Sequence, residues 1–82
     1  MLGHELEALF GKQTIREAEQ LRPDQVDALA VHDAAGALLR LRQYPNEQRE
    51  LVATMRPDTA AALCRWIAEP AFWAVVSGIT KQ

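Results

Sequence analysis

The sequence predicts an all-α fold: a small compact bundle of five to six short helices around one longer central helix over about 24–43. Three observations carry this. Apolar residues recur at three- and four-residue spacings along most of the chain. Period-two alternation, the mark of a half-buried strand, is absent. Four prolines (Pro23, Pro45, Pro57, Pro70) and glycines at 3, 11, 36 and 78 divide segments built of strong helix formers. Eighty-two residues suit a single helical domain over 1–82.

The first helix is expected from about His4 to Phe10, with Leu2, Leu6, Leu9 and Phe10 on one face and Gly11 just past its end. Thr14 followed by Glu17 has the capping-box form that restarts a helix. Ile15, Ala18 and Leu21 then give a narrow stripe that Pro23 ends. Asp24 is the expected N-cap of the long helix. Val26, Ala30, Val31, Ala34, Ala37, Leu38, Leu41 and Tyr44 span roughly 140° of its circumference. Leu29 and Leu39 lie outside that arc, beside His32, Gly36 and Gln43. A helix apolar on two sides is central in a fold or half of an interface.

Tyr44–Pro45–Asn46 is a turn, and a short helix follows with Leu51, Val52 and Met55 inward. Pro57 ends it and Asp58 is the expected cap of the next helix, whose stripe is Ala60, Leu63, Trp66 and Ile67. Pro70 starts a last helix that folds back at an angle. Phe72, Val76 and Ile79 share one side of it, while Trp73 is rotated about 100° from Phe72. Trp73 therefore either closes the core over the end of the long helix or stands outward as an interface anchor.

The tripeptide Arg-Pro-Asp occurs at 22–24 and again at 56–58, 34 residues apart. That offset resembles the tetratricopeptide-repeat period, but the small and aromatic signature positions do not recur in register. The tripeptide is read as a helix-start device.

Composition narrows function. Net charge is −2, which offers no electrostatic footprint for nucleic acid. Charge is uneven: residues 1–39 carry three bases against seven acids, and residues 40–82 six against four. No stretch of about 18 uncharged apolar residues exists, because Arg65, Glu69 and Pro70 interrupt the most apolar segment, so no membrane role is expected. The first residues carry acids where a signal peptide needs bases. Cys64 is the one cysteine, which suits a reducing compartment, the cytoplasm.

Chemistry is sparse. His4 and His32 lack metal-ligand spacing, and no phosphate-binding glycine loop is present, so neither metal nor cofactor is expected. Cys64 with His32 is the one conceivable nucleophile–base pair, and the preferred reading packs Cys64 as a small hydrophobe. Glu5/Glu7 and Glu17/Glu19 point to different sides of a helix. No enzyme is expected.

By elimination the chain reads as a small protein-interaction module, an adaptor, chaperone, regulator or inhibitor, with a protein partner or a homodimer as its binding mode. Its candidate interface is Leu29, Leu39, Phe72 and Trp73. The alternative is a small DNA-binding or transcription-associated regulator of helix-turn-helix type, using the helices on either side of Met55–Asp58 and phosphate contacts from Arg40, Arg42, Arg49 and Arg56. Against it, the candidate recognition helix begins "DTAAALCR", poor in base-reading side chains.

Overall fold

The computed structural model describes residues 2–80, with side chains described over 6–78. Leu2, His4 and Ile79 fall outside the described side chains. Six helices follow in order: α1 Leu2–Phe10, α2 Lys12–Gln20, α3 Ala28–Gln43, α4 Gln48–Ala53, α5 Pro57–Ala68 and α6 Pro70–Thr80. Single 3₁₀ turns at Pro23–Gln25 and Pro45–Glu47 precede α3 and α4, and no strand occurs among the described residues. The bundle is all-α, and its longest helix is α3.

Helix starts depart from expectation in three places, each for a local reason. Gly11 has φ 88°, a conformation that side chains disfavour, and it turns the chain so sharply that α2 begins at once at Lys12. Thr14 then lies inside α2 and caps nothing. The long helix begins at Ala28, not near Asp24. Asp27 is its N-cap: Oδ1 accepts from the Ala30 amide at 2.8 Å. Asp24 sits instead within a one-turn 3₁₀ helix, which Gln25 closes by accepting from the Arg22 amide at 2.9 Å. Asp58 is not a cap either, because α5 already begins at Pro57.

Both Arg-Pro-Asp tripeptides use one device. The arginine before proline is extended, with ψ 150° at Arg22 and 148° at Arg56, as the proline ring requires. Proline then opens the helical turn, where its missing N–H has no bond to lose. Asp24 and Asp58 follow in the first turn, near the positive end of the dipole.

α5 is the most enclosed element. Thr59 through Cys64 are buried without a break, and Trp66 is 0% exposed. α2 and α3 pack along it, and α1 and α6 complete its surround. One core cluster joins Val31, Ala34, Ala35, Leu38 and Leu41 of α3 to Leu63, Trp66, Phe72 and Val76. A smaller one joins Ala18 of α2 to Ala61 and Cys64, with Phe10, Ile15 and Leu21 at its edge. The radius of gyration, 11.7 Å, is what a tightly folded chain of this length requires.

Pro70 turns α6 back against α3 and α5. Phe72 thereby reaches the centre, its ring centroid 5.3 Å from that of Trp66 at a tilt of 51°. Trp73 is half-buried against the last turn of α3, where the Arg42 guanidinium stands over its ring at 5.4 Å.

Two stability measurements check this account. In urea titrations, Asp27→Ala is expected to cost about 1 kcal/mol, whereas Asp24→Ala stays within about 0.5 kcal/mol. Equal losses would mean that Asp27 is not the working cap. Trp66→Ala is expected to cost about 3–5 kcal/mol, a large share of the about 4–12 kcal/mol available to a chain of this size. Trp73→Ala is expected to cost only about 1–2 kcal/mol, for half-burial and one cation–π contact. A Trp73→Ala loss equal to that at Trp66 would place Trp73 in the core proper.

Candidate functional site

α3 turns one face into the bundle and the other out of it. The inward face is alanine-rich and lets α5 lie close. Outward, the helix presents Leu29, His32, Asp33, Gly36, Leu39, Arg40 and Gln43, all exposed. Leu29 is 60% and Leu39 58% exposed, the highest values among the exposed large hydrophobics. Alongside this face, α3, α4 and the start of α5 enclose an open groove of about 650 Å³. Its apolar wall is Ala35, Ala37 and Leu39 on one side and Leu51 and Met55 on the other. The groove exists because α4 is only one and a half turns long and reaches α3 with few side chains, leaving Leu51 and Met55 half-covered.

Charge rims the groove. Arg56 Nη2 donates to Asp33 Oδ2 at 3.1 Å, with both side chains about half exposed. Arg40, on the same rim, has no acidic partner among the described residues. An exposed pair of this kind contributes little to stability. Its main effect is on the charge pattern of the groove rim.

The structure brings together only part of the expected interface. Leu29 and Leu39 share the outward face of α3. Phe72 is 0% exposed, so it has no surface to offer a partner, because the turn at Pro70 aims it at Trp66. Trp73 leaves only part of its ring at the surface. Val75, 47% exposed, is the large apolar side chain that α6 exposes among the described residues. Leu51 and Met55 were read as inward, and only the gap beside short α4 makes them groove wall. No periodicity within one helix carries that signal.

The remaining reactive side chains are dispersed. Cys64 is buried with Ala18 and Ala61, whereas His32 is exposed on the rim of the groove. Burial pushes the Cys64 thiol up from 9.0 to about 12. Near neutrality it is a protonated, enclosed thiol with little nucleophilic thiolate. Among the described residues no group of three or more His, Cys, Asp or Glu is arranged to hold a metal ion. A second, smaller hollow of about 240 Å³ carries Glu17, Asp27 and Asp58 around Leu21 and Pro57.

The candidate helix-turn-helix pair is α4 and α5. Its second helix is buried from Thr59 to Cys64, so those residues face other helices and have no surface to lay in a groove of DNA. The arginines diverge as well: Arg40 and Arg56 edge the groove, and Arg42 covers Trp73.

The Cys64 environment sets a pH dependence. Folding holds this thiol protonated, and the unfolded chain releases the proton from about pH 9 upward. Stability is therefore expected to fall as pH rises from about 9 to about 12. Cys64→Ala should flatten that part of the profile in urea titrations. At pH 8, iodoacetamide is expected to modify Cys64 at least about tenfold faster in urea than in the native protein; equal rates would contradict its enclosure.

No protein-family model, curated protein or solved structure matches the chain at a significant level.

Proposed function

We propose that this chain is a small helical protein-interaction module, an adaptor, regulator, chaperone or inhibitor that acts by occupying the surface of another protein or of a second copy. The observation that carries the reading is the outward face of α3. Two leucines more than half exposed on one helix face, one of them (Leu39) lining an open groove with an apolar wall, form the kind of rimmed apolar surface that marks binding sites. The helix-in-groove mode is the one such a surface suits, with Leu39, Leu51 and Met55 as the apolar contacts and Asp33, Arg40 and Arg56 setting orientation.

Catalysis is not part of this reading. What supports leaving it out is placement: the thiol is protonated and enclosed, and His32 stands on a different face. Recognition of nucleic acid is left out on similar grounds, since the candidate recognition helix is buried and the arginines do not form one face. No helix among the described residues is long and apolar enough to cross a membrane. A single reduced thiol supports the cytoplasm as the working compartment.

Leu39→Glu tests the proposal. The position is exposed, so circular dichroism and the melting temperature are expected to stay near wild type. Binding of the chain's partner, measured by quantitative affinity capture from the native host beside the wild type, is expected to fall at least about tenfold, the equivalent of about 1.4 kcal/mol. A folded Leu39→Glu variant that captures the same proteins at the same yield would overturn it.

A further inference from the structure

We infer that the outward face of α3 pairs with the same face of a second copy, antiparallel, about a two-fold axis at Gly36. This rests on the interaction reading above and names its occupant.

The face is self-complementary when its residues are placed around the helix. At 100° per residue, Gly36 lies at the centre, Leu29 and Gln43 about 20° to either side, His32 and Arg40 about 40°, and Asp33 and Leu39 about 60°. Asp33 and Arg40 share one lateral side, and His32 and Leu39 share the other. A two-fold axis across an antiparallel helix pair reverses height along the helix and keeps the lateral side. Asp33, one turn before Gly36, therefore meets Arg40 of the partner subunit, one turn after it. By symmetry this ion pair forms twice. On the other side Leu39 packs against His32 of the partner subunit, also twice. A parallel pairing keeps height and reverses the lateral side, which sets Asp33 beside His32 of the partner subunit and leaves Arg40 without a carboxylate, so charge selects the antiparallel arrangement.

Gly36 supports the crossing point independently. A Cβ built there meets nothing within 4 Å, and the residue sits in the middle of α3 at an ordinary helical φ. The fold of one chain thus gives no reason for a glycine at this position, where it weakens the helix. A second helix crossing here gives one, because the absence of a side chain lets two backbones approach closely. Arg40, without an acidic partner among the described residues, acquires one, while Asp33 keeps Arg56 and adds a second cation.

The test is oligomeric state, by sedimentation equilibrium of the purified chain. The wild type is expected to dimerise with a Kd on the order of micromolar, as a contact of one helix per subunit allows. Gly36→Leu is expected to be monomeric, fully helical and no less heat-stable, since its side chain has room in the monomer and blocks the crossing. Asp33→Arg and Arg40→Asp are each expected to weaken the dimer at least about tenfold, and the double variant to recover most of the loss. A wild type that stays monomeric to about 1 mM overturns the pairing. A dimer that Gly36→Leu leaves intact, or whose charge swap shows no recovery, overturns it too. Neither failure touches the interaction reading, which stands or falls on whether Leu39→Glu loses capture of the chain's partner.

Discussion

The structure depends on the enclosure of α5. A chain of 82 residues has few side chains with which to surround a helix, and it does so here by making that helix thin. Ala60, Ala61 and Ala62 reduce its radius, so α2 and α3 approach from two sides. Toward its far end, Leu63 and Trp66 fill the space where α3 and α6 meet. Enclosure also traps polar atoms: Trp66 Nε1 and Arg65 Nε are buried without a hydrogen-bond partner among the described residues. Each unmet donor costs about 1–3 kcal/mol. Burying an indole of about 200 Å² returns about 5 kcal/mol, so packing outweighs the orphaned N–H at Trp66. Arg65 is partly exposed and meets two acceptors, the Glu19 carbonyl at 3.3 Å and the Glu69 carboxylate at 3.1 Å, and the first ties the end of α2 to α5.

With α5 enclosed, α3 takes a defined position. Its alanines and inward leucines cover α5, and the remaining arc faces outward. Apolar residues on two sides of α3 therefore have two separate causes. Leu38 and Leu41 are core, whereas Leu29 and Leu39 stay more than half exposed. α6 is handled differently. It is short, carries no charged residue from Pro70 to Thr80, and is held by Phe72 inside and by Arg42 across Trp73. The cation–π contact holds Trp73 to the end of α3, while Val75 stays exposed on that helix.

Much of this was legible in the residues. Breaks at proline and glycine located all six helices, and the stripes on α3 and α5 named half of the buried apolar residues. What escaped has physical reasons. Asp24 and Asp27 both satisfy the chemistry of an N-cap, and the backbone chooses between them: Pro23 spends Asp24 on a 3₁₀ turn, and extended Val26 presents Asp27 to the next helix. Thr14 lost its expected role because Gly11 adopts a positive φ that no spacing rule anticipates. The alanines of α5 read as filler in a pattern based on large side chains, yet their smallness is what allows the enclosure. The burial of Phe72 follows from the angle at Pro70, and the groove from the shortness of α4. Both are properties of two elements together.

The two glycines at 11 and 36 differ in what the fold of the chain asks of them. Gly11 has an intramolecular reason, since its backbone lies where an L-residue is strained. Gly36 has none within the chain: its φ is helical, and no atom crowds the place of a Cβ. At about 1 kcal/mol relative to alanine, the glycine is a standing loss of helix stability in a domain with little to spare. It lies between two exposed leucines, beside an aspartate and an arginine set one turn to either side. Local rules broken without compensation inside a fold are expected where a surface is made for something outside it. On α3 the broken rule, the exposed apolar residues and the divided charge coincide on one face, and the core requires none of the three.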